Sequence, residues 1–300
     1  MSSTLLLITV FSYFALLLLI AWYTSRGAGE HAFYSGERKS LWWIVAFGMI
    51  GTSLSGVTFV SIPGQVKTAS WNYLQIVFGY VVGYWIIAFL LLPLYYRLQL
   101  TSIYGYLKQR FGQVSYKTGS SLFLISRLLG STLRIYIVLF VIHKFLLEQT
   151  GIPFWVTNAV VLLMIYLYTL QGGVKTIVWT DTLQTSFMLL ALVGTICFIV
   201  FDSSIADPVG QARDSGMMQI FNGDPKSDRF WLKQFLAGIF ITVAMTGLDQ
   251  EMMQKNLSVR TLWESQKNVI TLSFILATNL LLLFLGSLLY VKAKGGGVGD

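Results

Sequence analysis

Apolar runs of about twenty residues, the length a bilayer core demands of a helix, alternate along this chain with short polar stretches. Eight such runs lie near 4–24, 41–62, 73–95, 119–146, 153–171, 176–201, 231–253 and 268–291. The pattern predicts an all-α membrane protein with eight spanning helices. The first run exceeds the apolar core of a secretory signal and has no basic residue before it. It is expected to remain as a helix.

The second run departs from plain apolar helix. "FGMIGTSLSGVTFVSIPG" (47–64) holds Gly48, Gly51, Thr52, Ser53, Ser55, Gly56, Thr58 and Ser61. Glycine weakens a helix by about 1 kcal/mol per residue relative to alanine. Serine and threonine compete for the helix's own hydrogen bonds. Two readings follow. Small residues let membrane helices pack closely. The same run at mid-membrane depth is also the pattern of an unwound helix, whose freed carbonyls bind sodium in secondary transporters.

Composition agrees with a membrane location: 55% of residues are hydrophobic and 11% charged, against roughly 25% charged in soluble domains. The net charge of +8 needs no nucleic-acid partner, because cytoplasmic loops of membrane proteins are basic. Eleven basic residues fall in one set of loops: Arg26, Arg38, Lys39, Arg97, Lys108, Arg110, Lys117, Lys175, Lys255, Arg260 and Lys267. That set is expected to be cytoplasmic, with the N-terminus outside and the protein multi-pass in a plasma membrane, a bacterial inner membrane. Cys197 is the only cysteine, so no intrachain disulfide can form.

Charges inside the apolar runs are candidate chemistry. Arg127 and Arg134 are two helical turns apart on one face of the fourth run. An arginine at mid-span costs about 2.5–3.5 kcal/mol on insertion scales. Arg134 faces either a cavity, where its fork suits a carboxylate, or backbone carbonyls as a structural group. Asp181, in "GGVKTIVWTDTLQ" (172–184), enters the sixth run. It either offers oxygen to a hard cation or complements the helix dipole as a cap. Asp249 and Glu251 are expected at the interface, paired with Lys255 or Arg260. No nucleophile elbow, zinc-binding helix, P-loop or dinucleotide fingerprint occurs, so an enzyme is not expected.

Three stretches resemble the sodium/solute symporter family: "GGVKTIVWTDTLQ", "GTSLSG" (51–56) and "TGLDQEMMQK" (246–255). The resemblance covers nearly all of residues 1–291 and is strongest toward bacterial sodium/sialic acid and sodium/sugar symporters. It implies a LeuT-type fold of two inverted five-helix repeats. Only the first eight helices are present, and the second repeat is incomplete. The implied divisions are 1–40, an extra helix and loop; 41–201, the first repeat; 202–230, an extracellular loop; and 231–300, the start of the second repeat. The 300-residue chain is therefore expected to be truncated at its C-terminus and inactive alone.

By the same resemblance, Gly51 and Leu54 match positions whose carbonyls hold sodium. Asp181 matches an aspartate linked in some members to ion coupling or a second sodium. Ser53, Ser55, Thr58, Trp71, Asn72 and Gln75 fall at substrate positions, and Thr242 and Met245 at substrate and gate positions. Galactose carriers have glutamine, glutamate and tyrosine where Thr58, Asn72 and Met245 stand. Sialic acid carriers share the glutamine at Gln75 and a carboxylate-binding arginine at Arg134. The implied activity is sodium-coupled import of an organic solute, a carboxylate-bearing sugar such as sialic acid, across a lipid bilayer. Alternatives are a carrier of neutral sugar, polyol or amino acid, and a solute sensor without transport.

Overall fold

The computed structural model describes residues 3–25, 41–100, 102–147, 151–170, 173–201 and 207–295. The loop at 26–40, Gly172 and the end of the Gly295–Gly297 run lie outside them. The regular elements among the described residues are all helices, with no strand. In order the helices are α1 (Ser3–Ser25), α2 (Trp42–Ser53), α3 (Gly56–Ala69), α4 (Tyr73–Arg97), α5 (Ile103–Ile142), α6 (Phe154–Leu170) and α7 (Gly173–Val200), then α8 (Pro208–Asp214), α9 (Trp231–Gly247), α10 (Gln250–Leu257), α11 (Leu262–Thr271) and α12 (Ile275–Gly295). Each of the eight expected apolar runs is helical. Among the described residues, by length and apolarity four helices could cross a membrane, or six when two bent pairs are each counted as one span.

The two bends organise the fold. The second apolar run breaks between α2 and α3, whose axes differ by 57°. The seventh run, expected to be one helix over 231–253, breaks between α9 and α10 by 65°. That correction has a local cause. The last turn of α9 widens, so that Leu248 N–H donates to Val243 O at 2.9 Å. Tyr95 Oη then donates to Gly247 O at 3.1 Å. Asp249 starts α10, its carboxylate accepting from Met252 N–H at 3.1 Å. Asp249 is thus a helix cap, not simply an interfacial charge.

The chain divides into two compact units. One comprises Met1–Ser40 and Leu100–Thr180, the other Leu41–Gln99 and Asp181–Asp300. In the first, α5 turns sharply at Gly112, which has φ +86°. This folds Tyr104 back onto Phe123, with ring centroids 5.5 Å apart. His143 bonds Thr157 between α5 and α6 at 3.0 Å.

In the second unit, α4 and α9 cross at glycines. A Cβ at Gly79 would stand 2.9 Å from Gly238 Cα, and one at Gly238 would stand 3.0 Å from Gly79 Cα. One turn on, Gly83 meets Thr242. Backbone-on-backbone contact of this kind replaces hydrophobic burial as the force joining helices in lipid. α12 packs on α3 in the same way, with Gly286 against the Pro63 backbone. The segment at 207–230 folds over the α3–α4 corner: Trp71 N–H donates to Gln219 O at 3.1 Å, and Phe78 stacks on Phe221.

A leucine at Gly238 should force α4 and α9 apart and lower the apparent melting temperature in detergent, at a cost of about 1–3 kcal/mol. Gly64 has nothing within 4 Å of its Cβ position. An alanine there should be neutral or stabilising by up to about 1 kcal/mol, measured in the same melts.

Candidate functional site

The site is built around the break in the second run. Leu54 leaves helical geometry at φ −96°, ψ 95°, and Ser55 is extended at φ −76°, ψ 160°. Leu54 N–H still donates to Ile50 O at 3.0 Å, and the next backbone bond starts from Phe59 N–H to Ser55 O. Among the described residues, no hydrogen bond reaches the carbonyls of Gly51, Thr52, Ser53 or Leu54. These are the orphan acceptors that any helix C-terminus leaves. Here they sit inside an apolar segment, with Leu54 and Ile50 both buried.

Ser55 explains why the second half restarts where it does. Its Oγ accepts from Thr58 N–H at 3.1 Å, and the two hydroxyls lie 2.9 Å apart. This is an N-cap, the arrangement serine favours over helix interior. The bend therefore presents free carbonyls from α2 and a helix N-terminus from α3 at one place. The small-residue run is both broken and closely packed. Besides the break, Gly51 packs directly on Thr185 of α7. Thr182 of α7 donates to Ile44 O at 3.2 Å, fixing that contact.

Asp181 lies two turns inside α7, too deep to cap its start. Its Oδ2 receives Lys255 Nζ at 2.7 Å and Thr52 Oγ1 at 3.1 Å. Lys255 also reaches Thr52 Oγ1 at 3.1 Å and Glu251 Oε1 at 3.2 Å. The Lys255 side chain is 5% exposed and Asp181 21%, while Glu251 is 48% exposed. The expected Glu251–Lys255 pair is therefore present. The stronger partner, Asp181, comes from 74 residues away. Sequence reasoning missed Lys255 and Thr52 as partners of Asp181. The only local hint was a lysine on the inner face of a helix capped by Asp249.

The expected substrate residues fall into separate groups. Ser53, Ser55 and Thr58 are at the break. Trp71, Asn72 and Gln75 are at the α3–α4 corner, beyond the 14 residues of α3, about 21 Å at 1.5 Å per residue. Trp71 Nε1 donates to Ser287 Oγ of α12 at 3.0 Å. Asn72 Oδ1 and both amide atoms of Gln75 are buried without a hydrogen-bond partner among the described residues. Such groups cost about 1–3 kcal/mol each when left unpaired. Thr242 is buried against Gly83, and Met245 is 61% exposed. Arg134 belongs to the other compact unit, on an exposed face of α5 beside Gly130.

Comparison with known proteins adds four findings. A family model described as the sodium:solute symporter family matches residues 33–292. The sodium-dependent multivitamin transporter of Oryctolagus cuniculus is 28% identical over 83% of this chain and 40% of its own length. The sodium/sialic acid symporter SiaT of Proteus mirabilis is 23% identical over 94% of this chain and 57% of its own. A solved sodium-coupled sialic acid symporter, described as substrate-bound and outward-open with a novel sodium site, superposes with a TM-score of 0.84 at 21% identity. That superposition covers 96% of this chain and 60% of the other. The chain thus spans about half the length of the relatives it matches.

Replacing Asp181 with asparagine should leave the Lys255 ammonium buried without its counter-charge, costing about 3–5 kcal/mol. Replacing Glu251 with glutamine, at a half-exposed position, should cost under about 1 kcal/mol. Thermal unfolding of the two variants side by side checks this ordering.

Proposed function

The chain belongs to the sodium:solute symporter family, and on that footing we propose that it forms part of a sodium-coupled importer of a carboxylate-bearing organic solute, such as a sialic acid. The observation that carries the reading is the break at Leu54–Ser55. Sodium is a hard cation that takes oxygen ligands, and peptide carbonyls without internal partners are such ligands. Gly51 and Leu54 would supply them. An orphaned carbonyl inside an apolar helix is otherwise a cost with no return.

Sodium entering the bend would hold α2 and α3 in one relative pose. It would favour the state that accepts solute, because a ligand shifts an equilibrium only by its differential affinity for the two states. The inward sodium gradient would then drive solute through alternating access. Solute would be recognised by Ser53, Ser55 and Thr58 at the bend, with Trp71, Asn72 and Gln75 at the outer corner. Thr242 and Met245 would act on the α9 side, and Arg134 would take the carboxylate with its two parallel donors. The orientation follows the basic loops, a multi-pass protein with its N-terminus outside, and the likeness to bacterial sialic acid symporters supports a bacterial inner membrane.

The unpaired amides of Asn72 and Gln75 support a second reading. They match the hydroxyls of a neutral sugar or polyol as well as those of a sialic acid. Proteoliposome uptake decides. Under an inward sodium gradient, labelled sialic acid should accumulate in vesicles holding the full-length importer that contains this chain, and an inward potassium gradient should not replace it. Arg134→Ala should lower that uptake at least 10-fold, the effect of losing a charged hydrogen-bond partner worth about 1.5–3 kcal/mol. Unchanged uptake of the acid by Arg134→Ala, with neutral hexose carried equally well, would favour the second reading. Ligand binding without sodium-dependent accumulation would indicate a sensor.

A further inference from the structure

We propose that the Asp181 carboxylate is neutralised by the tethered ammonium of Lys255 rather than by a sodium ion, so that this chain binds one sodium fewer than a carrier whose equivalent carboxylate is free. The inference rests on the reading of the chain as a sodium-coupled carrier, and it concerns which cation serves the second acidic position of that reading.

Three observations carry it. An ammonium has three N–H donors, and the Lys255 Nζ has three acceptors: Asp181 Oδ2 at 2.7 Å, Thr52 Oγ1 at 3.1 Å and Glu251 Oε1 at 3.2 Å. Its donor capacity is filled. Second, the same Asp181 oxygen lies 3.1 Å from the Thr52 hydroxyl. That carboxylate atom is therefore occupied from two sides. Third, the lysine is held in place. α10 is fixed at its start by Asp249. At its other end Asn268 Nδ2 donates to Asn256 Oδ1 at 2.6 Å, and Ser265 Oγ donates to Asn256 O at 3.1 Å. Asn268 Nδ2 also reaches Met49 Sδ of α2 at 3.4 Å. The helix bearing the ammonium is thus pinned to the same half-helix that ends in the free carbonyls.

The consequence is chemical. A sodium ion bound to a carboxylate can leave; an ammonium on a lysine stem cannot. The Asp181–Lys255 pair ties α2, α7 and α10 together through Thr52, Asp181 and Lys255, one residue along from Gly51. Lys255 is a positioning residue for the bend and sets how many ions travel.

The test counts bound ions on purified protein with radiolabelled sodium at equilibrium. Lys255→Met removes the charge at similar length, and should bind one more sodium per molecule than the unsubstituted protein. Lys255→Arg keeps a cation and should bind the same number as the unsubstituted protein. The double variant Asp181→Asn with Lys255→Met removes both charges and should also match it. No extra ion in folded Lys255→Met overturns the proposal. So does a loss of one ion in the double variant, which would show that Asp181 held sodium all along; this arm decides even where Lys255→Met does not fold. The count is independent of uptake. An extra ion in Lys255→Met alongside absent sodium-driven transport by the full-length importer containing this chain would uphold this inference and sink the proposed function.

Discussion

A peptide group without a hydrogen bond is costly in an apolar surrounding, and everything around the second apolar run follows from that cost. α2 stops at Ser53 and α3 restarts at Gly56. The N–H groups exposed by the restart are partly met by Ser55. The carbonyls exposed by the stop are not. The surroundings then arrange themselves to hold this opening steady: Gly51 against Thr185, Thr182 on Ile44 O, and Thr52 between Asp181 and Lys255. The bend thus keeps its unpaired carbonyls while its surroundings brace it closely.

The second bend repeats the logic with a different outcome. At α9–α10 the carbonyl of Gly247 is taken by the Tyr95 hydroxyl, and Asp249 caps the restart. There the Gly247 carbonyl and the start of α10 find their partners within the protein. The role of this bend is to aim α10, and with it Lys255, back toward α2. The two bends are therefore unlike: one leaves acceptors free, and the other delivers a fixed positive charge beside them.

Much of this was legible in residue order. Hydrophobic run lengths located helical segments in each of the eight runs, though among the described residues four helices, or six with the bent pairs, are long and apolar enough to span. The Gly–Ser–Thr cluster marked the place where the second run breaks, because each of those residues weakens a helix for a separate reason. The bend at Leu248–Asp249 was harder. "VAMTGLDQ" continues an apolar run, and only Asp249 with Glu251 two residues on hints at a new helix start. The partner of Asp181 was not readable at all, since nothing local connects residues 74 positions apart. The substrate residues named from resemblance come from several apolar runs and the stretches between them, and α3 separates Ser55 from Trp71 by its own length. Linear proximity and shared faces do not report the distance along a straight helix that ends in a corner.

The central claim is that the opening at Leu54–Ser55 is completed by sodium. Amide hydrogen exchange across residues 50–58, compared in sodium and in potassium at equal ionic strength, tests it most directly. The account predicts slower exchange in sodium at the amides flanking the bend, with α6 unchanged as an internal reference. Identical exchange in the two salts, with the bend as open in sodium as in potassium, would contradict it.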